Sequence, residues 1–336
     1  MAHEITIRDD GFAEAAYSLQ PAWHGLGQVF DHPMTTLEAL TGAGLDWRVV
    51  QEELYRRWMG EYNEVPGYRL NLRQDTGMIL GMVTDQYKVV QNVEAFEFLD
   101  ALVENHEMLY ESAFSLYGGR KVVVLARMPG AAEVVPGDHV LPYVLMSLSH
   151  DGSEAIRFGG VATRVVCANT YAIANEERGV KNMTVRHTGD IKEKLAQARN
   201  VLGLMSRQFA QYTEISQQLA QRQLTTQEWR EYLDIMCPAL DPRDPDYTER
   251  RAEQLAETRL SIISAYLNER QATAPKTLWA AYNAVAEHVD HLPRRGATRE
   301  RRAEARFNVT MWGVGMSQKE RAFRTACRFA GLAEAV

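Results

Sequence analysis

The amino-acid sequence predicts an α+β fold: a curved antiparallel sheet with helices on one side over residues 1–189, followed by a mostly helical region over 190–336. Three observations carry this. Period-two alternation bounded by Gly, Asp and Asn turn signals recurs through the first half. From Asp190 onward the apolar period changes to 3.6. The chain has 336 residues, of which 46% are hydrophobic, enough for about two structural units with buried cores.

Taken in order, Tyr68-Arg69-Leu70-Asn71-Leu72-Arg73 alternates, Gln74-Asp75-Thr76-Gly77 is a turn signal, and Met78–Val83 supplies the partner strand of a hairpin. A helix follows, with Asn92 as its cap and Val93, Phe96, Leu99 and Val103 on one face through Glu104. Strands are expected at Glu111–Tyr117, at Arg120–Met128 across the Gly118-Gly119 turn, and at Tyr143–Ser149. Two further short strands, Ala155–Phe158 and Ala162–Val166, follow the turn Ser149-His150-Asp151-Gly152-Ser153, and Asn169 to Ala174 opens a helix. Beyond Asp190, Ile191, Leu195, Ala198, Leu202, Met205, Phe209, Tyr212, Ile215 and Leu219 trace one stripe of a long helix. Thr225-Thr226-Gln227-Glu228 is a capping box for a helix ending before Cys237-Pro238, and Asp241–Pro245 is a loop. Helices are expected at Tyr247–Glu269 and Lys276–His291, and at Ser317–Leu332 behind a box at Ser317-Gln318-Lys319-Glu320.

This composition excludes disordered, collagen-like and disulfide-scaffold classes. Cys167, Cys237 and Cys327 are odd in number and far apart, which argues against a disulfide framework or a thiolate zinc site. The start Met1-Ala2-His3-Glu4-Ile5 lacks the basic-then-apolar order of a secretory signal, and no apolar run approaches the ~18 residues of a membrane span. A cytoplasmic protein without membrane contact is expected.

The net charge of −7 speaks against a nucleic-acid binder until it is split along the chain. Residues 1–120 hold 8 Lys/Arg against 19 Asp/Glu, net −11. Residues 155–207 hold 9 against 4, net +5, and residues 291–328 hold 10 against 3, net +7. In the first basic stretch Arg157, Arg164, Lys181, Arg186, Lys192 and Lys194 are interleaved with Phe158 and Tyr171. Cations for phosphates and aromatic faces for bases are what single-stranded nucleic acid requires. In the second, Arg294 and Arg295 lie in a Pro/Gly loop, and Arg299, Arg302 and Arg306 fall at i, i+3 and i+7 of a charged helix. Arginine there suits phosphate or a partner's carboxylates equally well.

Catalytic signatures are weak by comparison. There is no Gly-x-Ser-x-Gly elbow, Walker loop or His-Glu-x-x-His, and Gly25-Leu26-Gly27 lacks the third glycine of a dinucleotide loop. Cys167 at a strand end reads as a small core residue rather than a nucleophile. His288-Val289-Asp290-His291 places two histidines one helical turn apart, and no third ligand is evident, so neither metal nor cofactor is expected. A hydrolase or nuclease requires His24, His150, Asp151 and His187 to converge.

Several segments together resemble a known family, the phage/plasmid-like proteins classed as domain of unknown function 932. They are Ala22-Trp23-His24-Gly25-Leu26-Gly27, Leu45-Asp46-Trp47, Gly118-Gly119-Arg120, Leu148-Ser149-His150-Asp151-Gly152-Ser153, Arg164-Val165-Val166-Cys167-Ala168-Asn169-Thr170, Arg186-His187-Thr188 and Leu278–Val285 with Val289-Asp290-His291. The resemblance implies carriage on bacteriophages or plasmids in a bacterial host, and no mechanism. The order hairpin, helix, β-meander, helix is also similar to the core of phage single-strand annealing proteins, by analogy of fold alone.

The expectation is therefore a non-enzymatic DNA-metabolism protein that binds single-stranded DNA and anneals strands as a homo-oligomer. Arg157, Arg164, Lys181, Arg186, Lys192 and Lys194 contact phosphate, Phe158 and Tyr171 stack on bases, and Arg294–Arg306 is an accessory arm. An interaction protein binding a host factor through its acidic N-terminal face is the alternative, and a metal-dependent hydrolase the third reading.

Overall fold

A computed structural model describes residues 5–19, 26–104, 108–153, 157–164, 169–172, 191–243, 247–268, 274–291 and 314–332. Contacts divide the chain into two units that interleave in sequence: Met1–Pro129 with Tyr143–Gly160 and Glu177–Met205, and Gly130–Pro142 with Val161–Glu176 and Ser206–Val336.

The first unit is built on strand pairing. β1 (Ala15–Ser18), β2 (Gln28–Phe30), β6 (Leu109–Leu116), β7 (Lys121–Arg127) and the second half of β9 (Asp138–Ser149) run side by side in the order β9-β7-β6-β1-β2. All these pairs are antiparallel except β1 with β2. Val122, Val124, Met146 and Leu148 alternate on neighbouring strands and join the core, and Val123, Leu145 and Ser147 between them are buried as well, so these central strands are buried on both faces. A second sheet holds β3 (Val49–Trp58), β4 (Glu61–Arg73) and β5 (Ile79–Thr84), all antiparallel. Two helices lie wholly within the unit, and the start of the long helix at 191–221 belongs to it as well through Met205, which joins its core. α1 (Thr36–Gly42) starts at a capping box in which Thr35 and Glu38 satisfy each other's backbone N–H. α2 (Asn92–Glu104) buries Ala95, Phe96 and Leu99 against Trp47, Tyr110 and Met108.

In the second unit, β8 (Ala132–Val135) pairs with the start of β9, and the end of β10 (Arg157–Arg164) pairs with β11 (Asn169–Ala172). The helices are the second half of α3 (Ile191–Gln221), from Ser206 onward, α4 (Thr226–Met236), α5 (Glu249–Tyr266), α6 (Leu278–His291) and α7 (Val314–Phe329). α6 is the centre of this unit: every residue from Leu278 to Ala286 is buried, so it meets neighbours all round rather than along one stripe. Tyr212 of α3 stacks on Phe323 of α7 with centroids 5.3 Å apart, and Trp279 packs edge-on against Tyr212. Trp279 Nε1 donates to the fully buried Asp138 carboxylate at 2.9 Å, satisfying both polar groups without water.

The α+β class is as expected, with antiparallel-dominated sheets and helices concentrated in the C-terminal half. The β4–β5 hairpin, the long helix α3 and the Thr225/Glu228 capping box of α4 stand where the sequence puts them. Four local expectations are corrected. Asn92 does not cap α2; Glu94 accepts from the Gln91 N–H at 2.9 Å instead, and the Asn92 amide is used in the core. The two short strands expected at 155–158 and 162–166 are one continuous β10 through Gly159-Gly160. Asn169–Ala172 is a strand, because pairing with β10 outweighs the helical tendency of four residues. Ser317 lies inside α7, not at its cap.

Candidate functional site

Three motifs that are far apart in the chain meet in the first unit. Leu45-Asp46-Trp47 ends the loop after α1, Gly118-Gly119-Arg120 forms the sharp β6–β7 turn, and Ser149–Ser153 leaves β9. The indole of Trp47 packs edge-on against the His150 imidazole with centroids 5.3 Å apart, and His150 N–H donates to the Arg120 carbonyl at 2.8 Å. Gly119 has φ +102 and no room for a side chain, since a Cβ would lie 2.9 Å from Trp47 Cζ2. The Arg73 guanidinium covers the other side of the indole at 4.4 Å and is bound by the buried Glu14 carboxylate and by Asp75. Burial works against the Arg73 charge, but Glu14 and Asp75 outweigh it and raise its pKa.

His150 is sealed in this layer at 1% exposure. Asn92 donates its amide to the Leu45 carbonyl at 2.9 Å, which turns Asn92 Oδ1 toward His150 Nε2 at 2.8 Å. His150 therefore donates from Nε2 and carries a bare lone pair on Nδ1, which has no partner. Burial pushes its pKa down to about 4, so the ring is neutral at neutral pH. Asp151 turns the other way. Its carboxylate accepts from Ser149 Oγ at 2.5 Å and from the Ser153 N–H at 2.8 Å. Burial raises its pKa, but these bonds and the charge of Lys121 prevail and hold it below the ordinary carboxylate value. His150 and Asp151 are thus adjacent in sequence without forming a catalytic pair, and His24 and His187 lie outside the described residues. The layer fixes the ends of three loops against one another.

The basic residues read from the sequence are distributed as follows. Arg157 and Arg164 stand at the two ends of β10, in the first and second unit respectively. Lys192 and Lys194 lie in the first turn of α3, and Tyr171 pairs with Ala162 across the β10–β11 ladder. Phe158 is 1% exposed and belongs to the first unit's core with Trp47 and Phe96, so its ring is a packing group rather than a stacking platform. Lys181, Arg186, Arg294, Arg295, Arg299, Arg302 and Arg306 lie outside the described residues, as does Cys167. The Asp290 carboxylate of the His288–His291 motif holds the fully buried Lys319 at 2.8 Å, and no group of three His, Cys, Asp or Glu among the described residues is placed to hold a metal.

An arginine groove on α7 went unread in the sequence. A cavity of about 410 Å³ in the second unit is lined by Ile235, Ser317, Glu320, Arg321, Arg324, Thr325 and Arg328. Arg321, Arg324 and Arg328 fall at i, i+3 and i+7, one face of the helix, the same spacing that draws attention to Arg299, Arg302 and Arg306. Arg321 donates to the Ile235 carbonyl at 2.6 Å, fixing the groove wall to the end of α4, and Thr325 is anchored to the Arg321 carbonyl. Arg328 stands in the last helical turn, where the helix dipole favours a cation. Arg259 adds a further cation at the end of α4, donating to the Cys237 carbonyl and pairing with Asp234 at 2.6 Å. With three arginines against the one carboxylate of Glu320, the lining carries net positive charge beside the Ser317 hydroxyl, which suits an anionic ligand.

Fold and sites together define an α+β protein with a sealed polar layer and an exposed cationic groove. The family model described as a domain of unknown function (DUF932) matches residues 79–312, and the chain belongs to that family. No curated protein and no solved structure matches it. Among the described residues, no helix is long and apolar enough to cross a membrane.

Proposed function

We propose that this chain is a non-enzymatic nucleic-acid-binding protein of phage or plasmid DNA metabolism, acting in the cytoplasm of a bacterial host. It holds single-stranded DNA and anneals strands as an oligomer. The observation that carries the reading is the groove in which Arg321, Arg324 and Arg328 outnumber the single carboxylate Glu320, a net positive lining in a chain whose net charge is −7. A cationic face kept in an acidic protein favours a polyanion as its ligand. Arg157, Arg164, Lys181, Arg186, Lys192 and Lys194 supply further phosphate contacts in this reading. Tyr171 supplies stacking, and Arg294, Arg295, Arg299, Arg302 and Arg306 form an accessory arm.

Fluorescence polarisation of a labelled oligonucleotide, titrated with protein over a series of salt concentrations, tests the reading. Binding that weakens linearly on a log–log plot against salt supports it. Absence of salt-sensitive binding at micromolar protein overturns it.

A further inference from the structure

The β3–β4 hairpin leaves a strand edge open. Among the described residues β3 pairs only with β4. At its start the Gln91 side chain binds both the N–H and the C=O of Val49, at 2.9 and 3.0 Å, so Val49 turns its main-chain groups away from β4. In an antiparallel ladder that orientation recurs at every second residue, which turns Gln51 and Glu53 outward as well. At the far end Met59 and Gly60 have φ values of +50 and +90, the signature of a two-residue primed turn that makes Trp58 and Glu61 a hydrogen-bonded pair. Counting back, Arg57 and Tyr55 face outward. The irregularity between Glu53 and Tyr55 places Val65 to Tyr68 of β4 against the single residue Leu54. The bulge is therefore on β4, and β3 presents a regular edge from Gln51 to Arg57.

A twofold axis perpendicular to an antiparallel edge passes through a residue that faces its own copy. The middle residue of this open edge is Leu54. We propose that β3 pairs antiparallel with β3 of a second copy of this chain, centred on Leu54. In that register Glu52 lies opposite Arg56 of the second copy, and Arg56 opposite its Glu52. Glu53 lies opposite Tyr55, Gln51 opposite Arg57, Val50 opposite Trp58, and Leu54 meets Leu54. Every outward-facing residue of the open edge finds a backbone partner and no like charges meet. Centring on Glu53 sets Glu53 against itself, and centring on Tyr55 sets Leu54 against Arg56 and removes Gln51 from the edge. Charged edges ordinarily block strand addition. Here the order Glu52-Glu53-Leu54-Tyr55-Arg56-Arg57 admits a partner with the same order run backwards. Pairing also joins two three-stranded sheets into one of six strands and flanks the outer, two-stranded part of each β3–β4 hairpin with a third strand. It leaves the exposed Trp58, Met59 and Tyr62 of the two hairpin tips at opposite ends of the joined ribbon.

Sedimentation equilibrium of the full chain over a concentration series tests this. The wild type is expected to dimerise. Glu52→Arg and Arg56→Glu each place like charges opposite at two symmetric positions and weaken the dimer roughly tenfold or more. The double variant Glu52→Arg/Arg56→Glu restores it. All four side chains lie on the exposed ribbon, and circular dichroism checks that the fold is intact. A wild type that stays monomeric overturns the proposal, as do single variants that dimerise normally or a double variant that does not recover. The assay contains no nucleic acid, so its failure is separate from failure of the groove to bind DNA.

Discussion

The guanidinium carbon of Arg73 lies 4.4 Å from the centroid of the Trp47 indole, while its nitrogens close on the Glu14 carboxylate at 2.5 and 2.9 Å. Glu14 is fully buried and also receives Arg8 at 2.7 Å, so the charge layer joins β1, β4 and the loop before β3. Without Glu14 the buried Arg73 keeps only Asp75, which is itself substantially exposed. Glu14→Ala should therefore lower stability by about 3–5 kcal/mol, and Arg73→Lys should not recover the wild-type value, because an ammonium cannot bind Glu14 in bidentate fashion and lie flat on Trp47 as well. The shift of the urea unfolding midpoint measures both.

A second buried pair makes a contrasting prediction. Lys319 and Asp290 join α7 to α6 at 2.8 Å with almost no exposure on either side, and burial acts to lower the Lys319 pKa while Asp290 supports its charge. Lys319→Met alone removes the buried cation beside the Asp290 carboxylate and should cost about 3–5 kcal/mol. Adding Asp290→Leu removes that carboxylate and should recover most of that loss. Thermal and denaturant unfolding of the two variants separate the electrostatic contribution from the packing.

The sequence reading succeeds where burial is one-sided and fails where it is not. The α3 stripe shows its period because Met205, Tyr212, Ile215 and Leu219 share a buried face, whereas the β4–β5 hairpin is legible from its alternation and turn residues although the buried side of β4 carries Asn71 and Arg73 and not Leu70 and Leu72. β3 shows none: Glu52-Glu53 and Arg56-Arg57 are consecutive like charges on a ribbon exposed on both faces, so alternation has nothing to report. β11 is legible only through its pairing with β10, which four residues do not advertise locally. The meeting of Trp47, Arg73 and His150 is a long-range event, and the residue types alone suggest a base or a ligand where the fold builds a sealed layer. The α7 groove was within reach, since its arginine spacing is plain once the helix is placed.

Met59 at the β3–β4 turn is a non-glycine residue at φ +50 and is 89% exposed. A left-handed conformation costs an ordinary L-residue roughly 1–2 kcal/mol, and Asn-Gly is the favoured pair for this turn. Met59→Asn should thus raise the thermal unfolding midpoint, by an amount corresponding to about 1 kcal/mol. An unchanged midpoint would show that the turn relaxes without strain.

The groove makes a quantitative claim about salt. Each phosphate neutralised on a single strand contributes about 0.7 to the slope of log affinity against log salt. If Arg321, Arg324 and Arg328 each hold one phosphate, the triple alanine variant should flatten that slope by about 2. Loss of affinity with an unchanged slope would mean that the arginines shape the groove without touching phosphate.

His150 ties the polar layer to pH. Its folded pKa of about 4 lies below the ordinary 6.5, so between those values the unfolded chain binds the proton more readily than the folded one. Stability from the neutral ring is complete above pH 6.5 and is lost as pH falls toward 4, amounting to about 3 kcal/mol over the whole interval and about 2 kcal/mol by pH 5. His150→Gln does not titrate in this range. It should be less stable than wild type at pH 7, because the edge contact to Trp47 is lost, yet its stability should change much less between pH 7 and pH 5. Urea titrations at the two pH values give the four numbers needed. Nitrogen chemical shifts of the imidazole check the cause independently, with Nε2 protonated and Nδ1 bare at neutral pH. Parallel pH dependence in wild type and variant would place the acid sensitivity on the carboxylates around Arg73 instead.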